Sequence, residues 1–416
     1  MSIRFVIFIG VLVFLDIYAV YGIKSLFSKS TYQTTAIVSY VVLAVLAYIG
    51  FYTMVQYFET RPISATVSRN LWIGFGFSFL IFKLLFSVFL VFDDVLRIFQ
   101  FLFQGVQKLF FNNSSSVNFK ERRDFLLKLG MGVASIPFAS MLYGITKGKY
   151  NYTVKKVILN FPNLPKAFDG FKLVQISDIH SGSFDSVDDV QRGVDLINEQ
   201  NADVVMFTGD LVNGDSREIV PFIDTFKSIN AQVYSVLGNH DYSDYNKWES
   251  KKAKMENADL MDVYHKEMDF HLLKNENVKL KRGSEEISLI GVENWGKGFK
   301  QRGDLDKALM GVEEEDFKIL LSHDPTHWDL KTIPHKSHID LTLAGHTHGM
   351  QFGVDIPGFK WSPVKYRYDR WSGLYEKGKQ YLYVNKGFGF LGFPGRVGMW
   401  PEITVIELKN TIENAS

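Results

Sequence analysis

Apolar residues dominate the N-terminal third of the chain, and four of its segments approach the length of a membrane-spanning helix. A bilayer core of about 30 Å requires about 20 apolar residues in a helix. The run from Thr31 to Phe58 holds 28 residues without Asp, Glu, Lys or Arg, which excludes a wholly soluble chain. The predicted transmembrane segments are Phe5–Ile23, Ala36–Phe58, Leu71–Phe92 and Leu129–Thr146.

The pattern changes after Thr153, where short apolar runs alternate with helical periodicity. The predicted strands are Val154–Asn160, Lys172–Ile176, Asp203–Phe207, Ala231–Leu237, Glu286–Val292, Phe317–Leu321, Ile339–Leu343, Tyr381–Val384 and Ile403–Leu408, with helices at Ser186–Gln200 and Arg217–Ile229. The early β-α-β-α-β order predicts a parallel sheet, and the later strands add a second sheet. We therefore expect an α-helical transmembrane module of about four helices in residues 1–147 and an α/β domain in residues 148–416.

Composition supports two units and excludes several functions. The 416 residues exceed the ~100–200 of one ordinary domain. With a formal net charge of +1, the chain lacks the excess of Lys and Arg that nucleic-acid binding requires. Nucleic acid is therefore not an expected partner. The absence of cysteine excludes a disulfide framework, a thiolate zinc site and a cysteine nucleophile.

Two charged residues, Asp16 and Lys83, fall inside predicted transmembrane segments. Each costs about 2.5–3.5 kcal/mol at the middle of the membrane, so we expect them to form a pair. One interpretation is a proton or ion path, which would make the protein a transporter or a sensor with an accessory metal-binding outer domain. The other is a packing contact between helices. Loss of transport but not of hydrolysis on replacing either residue would favour the path.

Basic residues predict the topology of the membrane module. They concentrate between the third and fourth segments, at Arg97, Lys108, Lys120, Arg122 and Arg123. The positive-inside rule makes this connection cytoplasmic and places the C-terminal domain outside. Within it, Val95–Phe111 is typical of a helix lying in the membrane interface, and Asn112–Asn118 is a polar linker.

The fourth segment begins with Arg122-Arg123-Asp124-Phe125-Leu126-Leu127-Lys128, which resembles a twin-arginine export signal with one additional Leu and an internal position. An ordinary transmembrane helix with basic flanks is the alternative. Both interpretations predict an integral protein of the bacterial inner membrane whose C-terminal domain is extracytoplasmic.

Polar residues cluster directly after five of the predicted strands, where ligands gather in open α/β sheets. The five motifs are Asp178-Ile179-His180, Gly209-Asp210-Leu211-Val212-Asn213, Gly238-Asn239-His240-Asp241, Ser322-His323-Asp324 and Gly345-His346-Thr347-His348-Gly349. Five of the ten histidines lie in these short motifs. We therefore expect the five strand ends to converge on one site.

The residue types in these motifs fit two divalent cations. A carboxylate can bridge two ions about 3.5–4 Å apart by giving each of them one oxygen, and Asp210 is the expected bridge. Imidazole and oxygen ligands without thiolate fit Mn, Fe or Zn. Two carboxylates against two dications leave a surplus positive charge that attracts phosphate. The predicted ligands are Asp178, His180, Asp210 and His348 for one ion, and Asp210, Asn239, His323 and His346 for the other.

The five motifs together resemble the calcineurin-like metallophosphoesterase superfamily over Phe171–Leu408. The resemblance implies a two-sheet β-sandwich flanked by helices, and a two-metal hydrolytic site in which a metal-bridging hydroxide attacks phosphorus. The chain is most similar to membrane-anchored bacterial members exported by twin-arginine signals, including relatives that cleave the pyrophosphate of UDP-diacylglucosamine. Those relatives commonly carry a single anchor, whereas four helices are predicted here.

The same resemblance implies that His240 is not a ligand but assists the leaving oxygen, a role worth about 10²–10⁴-fold in rate. Asn213 occupies the position from which family members often orient this histidine. Asp241 is a second candidate partner for His240, and a role as a turn residue is the alternative.

Two further segments suggest how a substrate is held. The glycine-rich run from Gly387 to Arg396 is expected to form a loop that touches lipid, with Arg396 available to a second phosphate. The charged insertion Tyr242–Met268 is expected to cap the site. The sequence thus predicts a phosphoesterase, phosphodiesterase or pyrophosphatase that acts on a lipid-linked or membrane-proximal phosphate.

Overall fold

The computed structural model describes residues 3–28, 30–60, 62–111 and 120–411, so the predicted linker Asn112–Asn118 lies outside the described residues. Contacts between Cα atoms divide the chain into two units. One unit comprises Met1–Thr60 and Leu71–Tyr143, and the other comprises Arg61–Asn70 and Gly144–Ser416. The residue at which the membrane module gives way to the α/β domain remains a prediction from the sequence.

Four long helices form the first unit, and each contains one of the predicted transmembrane segments. All four are long and apolar enough to cross a membrane, which confirms that part of the prediction. The fourth helix contains Pro137, which membrane helices tolerate because neighbouring groups satisfy the freed carbonyl. The helices are α1 (Ile3–Leu26), α2 (Gln33–Thr60), α3 (Val67–Phe111) and α4 (Lys120–Thr146).

Helix α3 differs from the prediction. It contains 45 residues, and at 1.5 Å per residue it is about 68 Å long, more than twice the thickness of a bilayer core. Val95–Phe111, predicted as a separate interfacial helix, is the continuation of α3. The prediction was wrong because neither Gly nor Pro occurs between Gly76 and Gly105, so nothing in the sequence interrupts the helix.

Asp16 of α1 lies at the centre of a polar cluster between the membrane helices. Its carboxylate accepts hydrogen bonds from the Lys83 ammonium at 2.7 Å, from the Tyr40 hydroxyl at 2.8 Å and from the Tyr48 hydroxyl at 2.7 Å. The predicted pairing of Asp16 with Lys83 is confirmed. Three donors from α2 and α3 therefore bind this carboxylate, an arrangement typical of a buried pair that joins helices.

The second unit is built on two six-stranded sheets. The first sheet has the order β1-β14-β2-β3-β4-β5. Strands β2 to β5 are parallel, and β14 pairs parallel to β1 and antiparallel to β2. Its strands are β1 (Thr153–Phe161), β2 (Phe171–Ile176), β3 (Val204–Phe207), β4 (Val233–Ser235), β5 (Phe270–Leu272) and β14 (Glu402–Asn410).

The second sheet has the order β12-β13-β9-β8-β7-β6, with parallel pairing from β13 to β7 and an antiparallel strand at each edge. Two short strands, β10 (Val354–Ile356) and β11 (Phe359–Trp361), form a separate hairpin. The sheet consists of β6 (Glu276–Arg282), β7 (Glu285–Gly291), β8 (Lys318–Leu321), β9 (Leu341–Ala344), β12 (Gly373–Lys377) and β13 (Gln380–Val384).

Alternate residues of the first sheet fill two cores. Leu173 packs toward the second sheet, in a cluster that contains Ile319. Val174, its neighbour, packs on the opposite face with Val194. The unit is therefore a two-sheet β-sandwich flanked by helices, as the resemblance implied. The helices are α5 (Val187–Asn198), α6 (Ile223–Lys227), α7 (Lys251–Glu267) and α8 (Leu305–Ala308).

The nine predicted strands all exist, and the predicted parallel order of β2, β3 and β4 is confirmed. The predicted helix Arg217–Ile229 is shorter than expected. A 3₁₀ segment, Ser216–Phe222, precedes the single short helix α6. Pro221 explains the difference, because it lacks the N–H that an α-helical bond at this position would need.

Candidate active site

The predicted site residues come together where the strands of both sheets end. Asp178 and His180 follow β2, and Asp210 follows β3. Several adopt left-handed backbone conformations, which cost non-glycine residues about 1–3 kcal/mol each and concentrate at functional sites. The residues with φ between 49° and 72° include Asp178, His180, Asp210, His346 and His348.

The first group of potential metal ligands consists of Asp178, His180 and His348, whose ligand atoms all lie within 4.8 Å of one another. The Nε2 atoms of His180 and His348 are 3.0 Å apart, and His348 Nε2 lies 3.2 Å from Asp178 Oδ1. All three side chains are buried. Such spacing suits ligands of one ion, because each ligand atom would lie about 2.0–2.2 Å from a metal such as zinc.

The second group consists of Asp210, His323 and His346. Nδ1 of His346 is 3.1 Å from Nε2 of His323, which in turn is 3.1 Å from Oδ2 of Asp210. The predicted fourth ligand, Asn239, donates its amide N–H to the Tyr245 hydroxyl at 2.8 Å. Its buried Oδ1 finds no hydrogen-bond partner among the described residues. A buried carbonyl oxygen left unpaired in this way fits a metal ligand.

Asp210 connects the two groups through one oxygen. Its Oδ2 lies 3.5 Å from His180 Nε2 and 3.1 Å from His323 Nε2, while its Oδ1 accepts the backbone N–H of His240 at 2.8 Å. The sequence argument expected each carboxylate oxygen to serve a different ion. Each carboxylate oxygen has two lone pairs, so the hydrogen bond from His240 leaves Oδ1 able to bind an ion as well, and the bridging arrangement stays a prediction.

The carboxylates and imidazoles of the site shift each other's pKa values. Burial disfavours ionisation of Asp178, but the adjacent His348 outweighs burial and lowers the pKa of this carboxyl. Burial alone would depress the pKa of His323, yet the Asp210 carboxylate raises it to about 10. Burial dominates at His180 and holds its pKa well below the ordinary value. A neutral His180 keeps a ring-nitrogen lone pair available for a cation.

Two glycines allow the site loops to approach each other closely. A Cβ atom at Gly238 would collide with Oδ1 of Asp210, and one at Gly345 would collide with Ser177 and Asp178. Any larger residue at these positions would displace a carboxylate that belongs to one of the two ligand groups.

His240 lies beside the two groups. Its ring stands at 84° to that of His180, with the ring centroids 4.9 Å apart. Its Nδ1 contacts the backbone carbonyl of Asn213 at 2.7 Å, so Nδ1 carries the proton and donates it, since a carbonyl can only accept. Nε2 is therefore the nitrogen that can exchange a proton with a substrate.

The side chain of Asn213 does not orient His240, contrary to the expectation from the sequence. Its amide N–H donates to the Ser183 hydroxyl at 3.1 Å, and the backbone carbonyl of Asn213 holds the imidazole instead. The orientation of His240 therefore depends on the path of the backbone at residue 213 more than on the side chain there, and no motif reveals that path.

Asp241 was considered as a partner of His240, but the structure gives it a different role. Its carboxylate accepts backbone N–H groups from Gly238 at 2.8 Å, Asp210 at 2.9 Å, Leu211 at 2.8 Å and Val212 at 3.3 Å. These bonds join the loop after β3 to the loop after β4. Asp241 therefore has the alternative role, that of a turn residue. Burial raises the pKa of its carboxyl to about 7.

Replacing Asp241 with asparagine is expected to lower the free energy of unfolding by about 2–4 kcal/mol. The new amide N–H₂ would face backbone donors, and each buried donor left without an acceptor costs about 1–3 kcal/mol. Thermal unfolding of the full-length protein in detergent measures the effect. Asp259→Asn on the exposed face of α7 is the matched control. Equal melting temperatures for both variants would contradict this role of Asp241.

Three aromatic or basic residues that the motifs did not reveal also contact the site. The Tyr245 ring stacks on His240 with centroids 4.3 Å apart, and the Tyr368 hydroxyl lies 2.8 Å from Nε2 of His346. Arg396 places its Nη2 3.2 Å from Nδ1 of His348. Arg396 and Tyr245 lie in the glycine-rich run and the charged insertion that the sequence singled out, but no motif revealed which site histidines they contact.

The expected roles of the glycine-rich loop are wrong. Arg396 is fully buried and donates to the carbonyls of Gly389, Met399 and Lys386, so it is not available to a second phosphate. Phe388 and Phe390 are also buried, in the core between the first sheet and its helices. The loop was expected to touch lipid, but two of its three phenylalanines fill the protein interior instead.

The expected cap is only partly realised. Helix α7 forms most of the insertion and packs against β5 at the edge of the first sheet. The start of the insertion borders the site, because Tyr245 lies against His240. Nearby, Asp244 pairs with Lys254, with Lys300 at 2.9 Å and with Arg302 at 3.1 Å. These ion pairs fix the border of the site to the loop after β7.

Comparison with known proteins agrees with this architecture. Residues 171–350 match the family described as "Calcineurin-like phosphoesterase", and residues 2–149 match "Probable Calcineurin-like phosphoesterase, transmembrane domain". The chain belongs to the calcineurin-like metallophosphoesterases. Membership implies a hydrolase of phosphate esters that uses divalent metal ions, and the matched transmembrane domain identifies a membrane protein.

Three relatives illustrate the family. The uncharacterized metallophosphoesterase YkuE of Bacillus subtilis is 31% identical over 255 residues, which cover 60% of this chain and 82% of the relative. A transmembrane protein with metallophosphoesterase domain from Danio rerio is 30% identical, with 64% of this chain and 60% of the relative covered. The uncharacterized metallophosphoesterase Cj0846 of Campylobacter jejuni is 30% identical, with coverages of 62% and 63%.

Proposed function

We propose that the chain hydrolyses phosphoric esters or anhydrides at a two-metal centre formed by Asp178, His180, Asp210, Asn239, His323, His346 and His348. The position of Asp210 carries the proposal, because its Oδ2 lies within 3.5 Å of a histidine from each ligand group. A shared carboxylate is what two adjacent cations need. Mn, Fe and Zn suit the imidazole and oxygen donors.

When bound, the two cations would polarise the phosphoryl oxygens of the substrate and supply an activated water as the nucleophile. The protein fixes where this chemistry occurs. Buried histidines with low pKa values, His180 and His346, present neutral nitrogens. The backbone N–H of His240 holds the Asp210 carboxylate in place, so the two ligand groups keep their spacing.

His240 is proposed to protonate the leaving oxygen. Its Nδ1 is held by the carbonyl of Asn213, and Tyr245 stacks on the ring. Both contacts fix the plane of the imidazole, so that Nε2 points in a constant direction. Proton transfer from a positioned histidine contributes about 10²–10⁴-fold to such reactions.

The substrate is proposed to be a phosphate-containing compound in or near the membrane, either lipid-linked or membrane-proximal. The four membrane helices support this proposal. Only residues 147–152 join the end of α4 to the start of β1, and a connection of six residues can span at most about 20 Å. A bilayer therefore always lies within reach of the α/β domain, which we propose to be residues 148–416.

The α/β domain is proposed to lie on the extracytoplasmic side of a bacterial inner membrane. Arg97, Lys108, Arg122 and Arg123 lie toward the joined ends of α3 and α4, which supports a cytoplasmic location for those ends. Alkaline phosphatase fused after Ser416 should be active only if the domain is exported. An inactive phosphatase fusion together with a fluorescent cytoplasmic fusion at the same position would contradict this topology.

Hydrolysis of an aryl phosphodiester by the full-length protein with added Mn²⁺ tests the activity. The proposal requires that replacing Asp210, or removing divalent ions with a chelator, eliminates this hydrolysis. Undiminished activity after exhaustive chelation would exclude the two-metal centre.

A further inference from the structure

The four most exposed apolar residues in the chain between the ligand His348 and Tyr368, which contacts the ligand His346, form one group. We call them the apolar rim. Single exposed apolar residues are ordinary, but a group beside a functional site indicates a binding surface. The apolar rim consists of Met350, Ile356, Phe359 and Tyr366, whose exposed fractions are 58%, 58%, 56% and 77%.

The hairpin formed by β10 and β11 carries half of the apolar rim. It belongs to neither of the two large sheets. Ile356 and Phe359 are register partners next to the turn, so their side chains lie on the same face. A Cβ atom at Gly358, in the turn, would meet no other atom within 4 Å. The turn therefore projects two apolar side chains into open space.

The hairpin is attached directly to the metal-ligand loop. The backbone N–H of Gly353 donates to the carbonyl of Val397 at 2.9 Å, and the Ser362 hydroxyl donates to the carbonyl of Gly349 at 2.8 Å. Gly349 follows the ligand His348. Whatever binds the apolar rim is therefore held at a fixed distance from the site.

Basic residues accompany the apolar rim. Between residues 354 and 370 the sequence contains four basic and two acidic side chains. Lys365 and Arg367 are exposed, whereas the Lys360 ammonium donates to the carbonyl of Ser372 at 3.0 Å. Asp355 is neutralised by Lys386 at 2.6 Å. Exposed apolar side chains with basic neighbours are typical of surfaces that bind anionic bilayers.

We propose that the apolar rim inserts into the surface of an anionic bilayer and presents the metal-ligand loops to the lipid headgroups. The six-residue connection to α4 keeps a bilayer within reach, and the basic residues complement its charge. This inference rests on the proposed function in one respect, because it assigns the substrate to the class of phosphates carried by a lipid. Insertion itself does not depend on catalysis.

The absence of cysteine permits a site-specific test. Full-length Phe359→Cys and Tyr366→Cys proteins, labelled with an environment-sensitive fluorophore, are placed in nanodiscs of phosphatidylcholine and phosphatidylglycerol, with one chain per disc. Doxyl groups on the acyl chains quench fluorophores that enter the bilayer. Met310→Cys is the matched control, because Met310 is 67% exposed. Its backbone carbonyl accepts a hydrogen bond from β6, which lies at the opposite edge of the second sheet from β12.

We expect quenching at positions 359 and 366 to be several-fold stronger than at position 310, and to weaken when Ile356→Asp is added to Phe359→Cys. Equal quenching at all three positions would overturn the inference. A spectral shift that depends on protein concentration but not on doxyl lipid would overturn it too, and would assign the apolar rim to a second copy of the chain. Because the measurement needs no hydrolysis, its failure would leave the proposed function intact.

Discussion

Replacing Asp210 with alanine is expected to reduce phosphodiester hydrolysis by at least about 10³-fold. Its Oδ2 lies within 3.5 Å of both His180 and His323, and the loss of a shared ligand should release both cations. The charge stabilisation that two metals give a transition state is worth several kcal/mol, and each 1.4 kcal/mol corresponds to about tenfold in rate.

The measurement is kcat/KM for an aryl phosphodiester in the presence of Mn²⁺, together with the metal content of the purified protein. Asp259→Ala is the matched control, because it removes a carboxylate from an exposed position on α7. The variant at Asp210 should lose both metal and activity, and chelation of the unmodified protein should reproduce the loss of activity. An active Asp210→Ala protein with its metals retained would rule out the shared-ligand arrangement.

Replacing His240 with glutamine is expected to lower kcat by about 10²–10⁴-fold while the metal content stays unchanged. Glutamine cannot carry a proton to the leaving oxygen. His240 is also not a member of either ligand group. The defect should be smallest for substrates with acidic leaving groups, because such groups depart without protonation. A defect of the same size for every leaving group would contradict the proposed proton transfer.

Asn213→Ala provides the comparison for His240. The backbone carbonyl that accepts the His240 Nδ1–H survives this substitution, and only the side-chain bonds to Ser183 are lost. We expect kcat to fall by less than about tenfold, the equivalent of one neutral hydrogen bond. A loss as large as that of His240→Gln would mean that the Asn213 side chain takes part in catalysis.

Much of the sandwich was predictable because its strands are buried on both faces. β3 is an uninterrupted apolar run, β2, β8 and β9 are mostly apolar, and every residue of β3, β8 and β9 is buried. β6 and β12 were not predicted from the sequence. They are the two edge strands of the second sheet, and both contain Lys and Glu among their apolar residues. Their pairing is decided by neighbouring strands and leaves no periodic pattern in the sequence.

The membrane helices could be predicted in number but not in length. Hydropathy locates apolar segments, yet it does not mark where a helix ends once Arg97 and Gln100 appear among apolar residues. Helix α3 continues to Phe111 because its polar residues are themselves good helix formers.

The candidate site was predictable to the level of residue type. Side chains that follow parallel strands must share one edge of a sheet, and this brings Asp178, His180 and Asp210 together. The roles of Asn213, Asp241 and Arg396 were misjudged, because they depend on which backbone groups face them. Such contacts follow from the path of the loops, which side-chain chemistry alone does not determine.

The position of β14 has a consequence for the order in which the domain can be made. β14 pairs with β1 along all nine of its residues and separates β1 from β2. During synthesis, β1 emerges about 250 residues before its partner, and β2, which leads to Asp178 and His180, also waits for β14. Such distant pairing delays folding until β14 has been synthesised. Loading of metal into the site should therefore follow the synthesis of β14.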